Sequence, residues 1–212
     1  RLAGDLFYKR LYNQIEYGGN IFDVISSSYR LQDNLLHGNG RNYGFSLMLH
    51  KCTGDLTGWV SYTYTNARRK FKEMDPDSSF PATHERPHEL KAVLMYSPWK
   101  HWDFGATAVY ASGTPFSLPE SIALINGNIL TQYGEYNSNR LRPYFRTDIS
   151  VNYKWFSRRV KEHGINLSLY NVSCMNNHLF WKIKIKDDMQ FAYRPVSFVV
   201  RILPSISYYC KF

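Results

Sequence analysis

The sequence predicts an all-β fold and, within that class, an antiparallel transmembrane β-barrel. Every second residue from Phe198 to Phe212 is apolar or aromatic, which is typical of a strand with one apolar face. The connections between the predicted strands are alternately long and short, like the loops and turns of membrane barrels. Four of the five tryptophans lie beside short connections, where an interfacial aromatic girdle belongs: Trp59, Trp99, Trp102 and Trp155.

The composition restricts the classes of membrane protein that fit. The chain has 212 residues and a mean hydropathy of -0.42, and no run approaches the roughly 18 apolar residues of a membrane helix. A membrane-spanning strand passes this test, because only alternate residues face lipid. Aromatic residues make up 17% of the chain and favour strands over helices.

The chain is basic, with a net charge of +9 and a pI of about 9.4. Its basic clusters, such as residues 68–72 and 158–161, lie mostly at predicted strand ends or in connections. We therefore expect contacts with anionic lipid headgroups and no nucleic-acid site. Cys52, Cys174 and Cys210 form no CxxC motif, so no disulfide framework or zinc site is predicted.

Four strands are predicted in the first half of the chain. Residues 2–13 form a mixed strand, and a loop rich in Gly, Asn, Ser and Asp follows at 14–36. The stretches 39–51, 57–67 and 87–97 place apolar side chains at every second position. Turn-forming residues at 52–55 predict a tight hairpin between the first two of these stretches. The charged segment 68–86, which contains two prolines, is predicted to be a long loop.

Four more strands are predicted in the second half, at 102–112, 144–155, 163–171 and 198–212. Short turns are predicted at 98–101 and 156–162. Residues 113–143 are predicted to be the longest irregular stretch, and 172–195 another long loop with a strand extension at 179–186. If the C-terminus is periplasmic, all three short connections are periplasmic too. A soluble β-sandwich is the alternative, since alternation alone does not exclude it.

The strand at 144–155 has the most regular alternation, and its polar positions are Arg146, Asp148, Asn152 and Lys154. Inside a dry core such side chains would be costly, whereas a hydrated lumen or a plug domain accommodates them. We predict that these four residues face the lumen or the plug. In a soluble sandwich they would form the solvated face.

The long loops supply the candidate ligand-binding residues, which combine aromatic rings with hydrogen-bonding groups able to contact a sugar, chelate or peptide. The alternative is an ordinary polar loop. These candidates are Tyr133, Tyr136, Asn139, Arg140 and Arg142, with Asn137 beside them.

No motif predicts an enzyme, a metal site or a cofactor. His84, Glu85 and His88 match H-E-x-x-H, but Pro87 disfavours the helix that this zinc motif needs. We interpret the segment as a loop-to-strand junction whose polar residues meet water. Serines and histidines are present without a G-x-S-x-G elbow, so a barrel hydrolase remains only an alternative.

Six segments, taken in order, resemble the barrel of TonB-dependent receptors, most closely those of Bacteroides-type bacteria. The segments are 40–45 (GRNYGF), 57–63 (TGWVSYT), 85–90 (ERPHEL), 110–116 (YASGTPF), 144–150 (YFRTDIS) and 204–212 (PSISYYCKF). The family's barrel has twenty-two strands around an N-terminal plug. The resemblance therefore implies that residues 1–212 are about eight C-terminal strands, without the plug and the earlier strands.

The resemblance also implies a function. It points to a bacterial outer-membrane receptor for TonB-dependent uptake of a siderophore, cobalamin, an oligosaccharide or a peptide. Its implied partners are outer-membrane lipid, TonB-ExbB-ExbD through the missing N-terminal part, and a surface lipoprotein. A barrel subunit that serves an outer-membrane complex without active transport is the alternative.

Overall fold

A computed structural model describes residues 1–17, 35–72, 78–125, 128–158, 160–185, 191–197 and 201–212. These residues include no helix long and apolar enough to cross a membrane. They form fifteen strands: β1 (Leu2–Tyr17), β2 (Leu35–Lys51), β3 (Leu56–Phe71), β4 (Phe80–Pro81), β5 (His88–Trp99), β6 (Trp102–Ala111), β7 (Pro115–Phe116), β8 (Pro119–Ile125), β9 (Asn128–Tyr133), β10 (Asn139–Arg140), β11 (Tyr144–Trp155), β12 (Glu162–Tyr170), β13 (His178–Ile185), β14 (Phe191–Ser197) and β15 (Leu203–Lys211).

Eight long strands form one antiparallel sheet, the main sheet, in the order β1-β2-β3-β5-β6-β11-β12-β15, with β4 paired to β3. These eight correspond to the predicted strands, so the all-β antiparallel prediction is confirmed. The last strand, predicted over 198–212, begins at Leu203, and residues 198–200 lie outside the described residues. Their short connections all lie at one end of the sheet and their long connections at the other, which we call the short-turn end and the long-loop end. Among the described residues, β1 pairs only with β2 and β15 only with β12, so the sheet is open at both edges.

The long connections contain three further two-stranded sheets, β7–β10, β8–β9 and β13–β14. The prediction that 113–143 is irregular was therefore wrong, because four short strands lie within it. The strand extension predicted at 179–186 is confirmed as β13, which pairs with β14. One missed signal was the Asn126-Gly127 dipeptide, a common hairpin turn, between the apolar runs of β8 and β9.

The main sheet has an apolar face and a polar face. Along most of the sheet, register partners on the apolar face are themselves apolar or aromatic, as in Leu49 with Val60 and Leu167 with Ile206. Many of these side chains are exposed, with Leu6 84% and Ile206 73% accessible. No second sheet covers this face within the described part of the chain. The described residues thus lack the two stacked sheets of a β-sandwich.

Aromatic rings collect on the apolar face at the short-turn end. Trp102 lies 4.8 Å from Tyr153 between ring centroids, and Trp155 stacks on His163 at 5.3 Å. This cluster matches the predicted girdle. Trp59 lies on the polar face, as its position in the alternation predicts, and Trp181 lies in β13, away from the short-turn end.

Candidate functional site

The predicted lumen residues Arg146 and Asp148 lie together on the polar face near the long-loop end. The Nε of Arg146 is 3.1 Å from Oδ2 of Asp148, and the guanidinium lies 4.7 Å from the ring centroid of Tyr170. Asp148 also accepts hydrogen bonds from Thr107 Oγ1 at 3.0 Å and from the Asn171 backbone N–H at 2.9 Å. The pair thus connects β6, β11 and the turn after β12.

The other two predicted lumen residues, Asn152 and Lys154, meet Asp103 toward the short-turn end. The Nζ of Lys154 is 2.9 Å from Oδ2 of Asp103, and the Asn152 amide donates to the same oxygen at 3.3 Å. Asn152 also donates to the Tyr209 hydroxyl at 3.2 Å, and Tyr209 donates to Glu162 at 3.1 Å. These contacts run across β6, β11, β12 and β15. Hydrogen bonds on the polar face thus connect the Lys154–Asp103 ion pair to Glu162 through Asn152 and Tyr209.

A second polar group, which we call the loop junction, ties the long connections to the sheet. It consists of Glu16, Glu85, Tyr136, Asn137 and Arg140. Its centre is Glu85, which is only 3% exposed. Glu85 Oε1 accepts a hydrogen bond from the Ala67 backbone N–H at 2.9 Å, and Oε2 pairs with Arg140 Nη2. The interpretation that the polar residues of this segment meet water was therefore wrong for Glu85.

Two residues of the H-E-x-x-H match, Glu85 and His88, are engaged in other contacts. Glu85 is engaged by Ala67 and Arg140, while His88 Nδ1 lies 2.8 Å from the Tyr62 hydroxyl. His84 is exposed in the turn before them. No group of three or more potential His, Cys, Asp or Glu ligands is found among the described residues.

Two predicted ligand residues, Tyr136 and Arg140, belong to the loop junction. The Tyr136 hydroxyl donates to Glu16 Oε1 at 3.1 Å, and its ring meets Phe80 edge-on at 5.9 Å. Arg140 Nη1 also donates to the Gly113 carbonyl at 3.2 Å. Their neighbour Asn137 is buried and donates to the Pro81 carbonyl at 2.9 Å. The contacts of these three residues hold the loops in place.

The buried phenol of Tyr136 should make the stability of the protein depend on pH at high pH. Burial raises its phenol pKa from the ordinary 10.0 to about 12. Because this pKa is raised in the folded state, the stabilisation by Tyr136 is complete below pH 10 and is lost as the pH rises toward 12. We expect a phenolate titration near pH 12 in the ultraviolet difference spectrum between the wild type and Tyr136→Phe. A difference titration centred on pH 10 would contradict this burial.

Among the described contacts, neither Arg142 nor Asn139 is joined to the loop junction. Arg142 lines a recess of about 210 Å³ together with Arg86, Tyr144, Asn177 and His178. Burial, followed by the charge of Arg142, lowers the pKa of His178, which favours its neutral imidazole. Asn139 lies in β10 and its amide donates to Ser138 Oγ at 3.1 Å. Tyr133 ends β9, and its side chain lies outside the described residues.

Of the four predicted ligand residues whose side chains the structure describes, only Tyr136 and Arg140 belong to the loop junction. Sequence reasoning also missed Asn177, whose amide donates to the Phe145 carbonyl and accepts from the Phe145 N–H, both at 2.9 Å. Asn177 thus aligns the start of β11 beside the recess. Nothing in the alternation of the sequence identifies such a residue, since it lies outside every predicted strand.

Comparison with known proteins identifies the family. Residues 1–172 match the family model "TonB dependent receptor-like, beta-barrel". The chain belongs to this family. No curated protein and no solved structure matches the chain.

A TonB-dependent receptor is a transport protein of the bacterial outer membrane that works with TonB, and it is not an enzyme. The predicted family, outer-membrane location and transport role are thereby confirmed, while the Bacteroides-type subdivision stays a prediction. In a membrane barrel the exposed apolar face of the main sheet is a lipid-facing surface.

Proposed function

We propose that residues 1–212 form about eight C-terminal strands of a twenty-two-stranded receptor barrel whose plug and earlier strands lie outside this chain. The open edges support this proposal. The edge strand β1 has 16 residues and β15 has nine. Long unpaired edges attract further strands, and barrels remove them by closure. The observation that carries the proposal is an open eight-stranded sheet with one exposed apolar face.

In this receptor the long connections face the cell exterior and the C-terminus faces the periplasm. The separation of long and short connections supports this orientation, since outer-membrane barrels have long extracellular loops and short periplasmic turns. The chain's two termini then lie beside the three short turns, at the periplasmic side.

The polar face contacts the plug or lumen water through Arg146, Asp148, Asn152 and Lys154. The charged side chains here are about one quarter exposed, as in Lys154 and Asp103 at 25% each. Charges in this state keep part of their hydration and are also balanced by a partner. They are therefore suited to a surface that meets a hydrated plug.

The receptor takes up a scarce nutrient, namely a siderophore, cobalamin, an oligosaccharide or a peptide. Tyr133, Asn139 and Arg142 are the proposed ligand contacts, and Tyr136 and Arg140 position the loops that carry them. The recess beside Arg142 supports an anionic or hydrogen-bond-accepting group on the ligand, because Arg86 also lines it. TonB-ExbB-ExbD drive uptake through the N-terminal part, and a surface lipoprotein presents the ligand.

Growth of a receptor-deletion strain complemented with the full-length protein tests this proposal. Ferric siderophore, cobalamin, oligosaccharide and peptide are each supplied as the limiting nutrient. We expect one of the four to require both the receptor and TonB. Arg142→Gln should raise the nutrient concentration needed for half-maximal growth about tenfold, since hydrogen bonds to charged groups contribute about 1.5–3 kcal/mol.

Arg158→Gln is the matched control, because Arg158 is exposed in the short turn at the opposite end of the sheet. Growth that is independent of the receptor on all four nutrients would contradict the proposed uptake. Equal effects of the two substitutions would contradict the proposed role of Arg142.

A further inference from the structure

Three arginines from neighbouring strands lie side by side on the main sheet. Arg10 of β1 is the register partner of Arg41 in β2, and Arg41 is the partner of Arg68 in β3. Neighbouring strands are about 4.8 Å apart, so the three side chains start within about 10 Å of one another. We call these residues the arginine row.

The arginine row lies on the apolar face. Arg41 has the same parity in β2 as Tyr43 and Leu47, which are exposed on this face. One step toward the short-turn end, Tyr8 and Tyr43 are direct register partners. The order along this face is thus aliphatic, then tyrosine, then arginine, which is the order expected where a protein leaves the hydrocarbon and enters the headgroup layer.

The position of the row along the strands agrees with this boundary. Leu2 and Leu49 are register partners near the short-turn end, and each lies eight residues from its row arginine, Arg10 or Arg41. A tilted strand crosses the membrane in about 9–11 residues. The row therefore lies about one membrane crossing away from the short turns, at the opposite headgroup layer.

The row concentrates positive charge. None of the ion pairs among the described residues includes Arg10, Arg41 or Arg68. Like charges directly opposite each other on neighbouring strands destabilise a sheet, so an anion between them would relieve the repulsion. The row lines a recess of about 420 Å³ with Lys70 and Asn39, and no aspartate or glutamate is among the described residues that line it.

Two arginines of the row have contacts that orient them and leave donors available. Arg10 Nε donates to the Tyr8 hydroxyl at 3.1 Å, and its guanidinium lies 5.8 Å from the centroid of the same ring. Arg68 Nη1 donates to the Ser79 carbonyl at 3.2 Å. Each guanidinium has five N–H donors, so each keeps enough for a bidentate contact with an oxyanion.

We propose that the arginine row binds the phosphate group of a phosphorylated glycolipid in the outer leaflet of the membrane. Guanidinium groups pair with phosphate oxygens in a bidentate geometry. The apolar face below the row, with Leu6 and Leu47, provides the surface for the acyl chains of the same lipid. This surface favours a lipid over free phosphate. The inference rests on the outward orientation of the long loops given under the proposed function.

Native mass spectrometry of the full-length receptor tests this binding. The receptor is reconstituted in phosphatidylethanolamine nanodiscs containing either bisphosphorylated lipid A or a phosphate-free lipid A analogue, and the retained lipid is counted. We expect retention of the phosphorylated form alone. Replacing Arg10, Arg41 and Arg68 with Gln should lower the affinity roughly a hundredfold, because each basic residue near a charged membrane surface contributes about fivefold.

A charge-matched control replaces Lys51, Lys100 and Lys161 with Gln, which removes three exposed charges near the short-turn end. It should leave retention unchanged. Arg41→Lys should lower retention less than Arg41→Gln does, because it keeps the charge and loses the bidentate contact. Nutrient-limited growth of the same variants reports on uptake separately, so loss of lipid retention and loss of transport are distinguishable.

Three results would overturn the inference. The first is equal retention of the two lipids, and the second is unchanged retention in the triple Gln variant. The third is displacement of lipid A by millimolar inorganic phosphate, which would identify free phosphate as the ligand.

Discussion

Leu167→Arg is expected to lower the free energy of unfolding of the full-length receptor by about 2–4 kcal/mol, the depth-dependent effect of a cation on the lipid face of a barrel. Leu167 lies near the middle of β12 and is 53% exposed on the apolar face, opposite Ile206. Its new guanidinium would enter hydrocarbon. Guanidinium titration of receptor folded into lipid vesicles measures the change.

Ser168→Arg is the matched control, because it introduces the same side chain one residue along the strand. Ser168 has Ser150 and Ser205 as register partners on the polar face. We expect a change within about 0.5 kcal/mol there, as for surface substitutions. Equal destabilisation by the two variants would mean that the faces do not differ in their surroundings.

Glu85→Ala is expected to destabilise the long-loop end of the sheet by about 3 kcal/mol. The substitution leaves the Ala67 N–H without its acceptor and Arg140 without its counter-charge, and both losses are costly in a buried setting. Arg140 is 36% exposed and recovers part of its hydration, so we place the effect at the lower end of the range for broken buried pairs. Faster hydrogen exchange at the Ala67 amide in the assembled receptor is the measurement.

Glu85→Gln separates the two contributions, because it keeps an oxygen for the Ala67 N–H and removes the charge. We expect roughly half of the alanine effect. Glu89→Ala is the control, since the Glu89–Lys91 pair is partly exposed and such pairs contribute less than about 1 kcal/mol. Exchange at Ala67 that is as slow in Glu85→Ala as in wild type would contradict the structural role of the loop junction.

The main sheet was predictable because its alternation spans whole strands. On its apolar side each of the eight strands alternates over most of its length, as in 144–155. The predicted ends were less accurate. β1 continues to Tyr17 and β2 starts at Leu35, because residues such as Gly38 and Gly40 resemble a loop but pair fully with β3.

The candidate site was less predictable, since its contacts join residues far apart in the chain. Arg140 was selected for its chemistry as a ligand contact, and its partner Glu85 lies 55 residues earlier. Neither residue type nor spacing indicates that pairing. By contrast, Arg146 and Asp148 were placed on the polar face from parity alone, because two residues along a strand return to the same face.

Collision accessibility of a nitroxide label along β12 tests the central claim, that lipid covers one face of the main sheet and water or a plug the other. Cys52, Cys174 and Cys210 are free and exposed, so each is first replaced by serine in the full-length receptor. Labels are then attached in outer membranes at residues 165–169, one position at a time. We predict high accessibility to oxygen at 165, 167 and 169 and low accessibility to oxygen at 166 and 168. Equal accessibility to oxygen at all five positions, or access of a water-soluble nickel chelate to 167, would contradict the account.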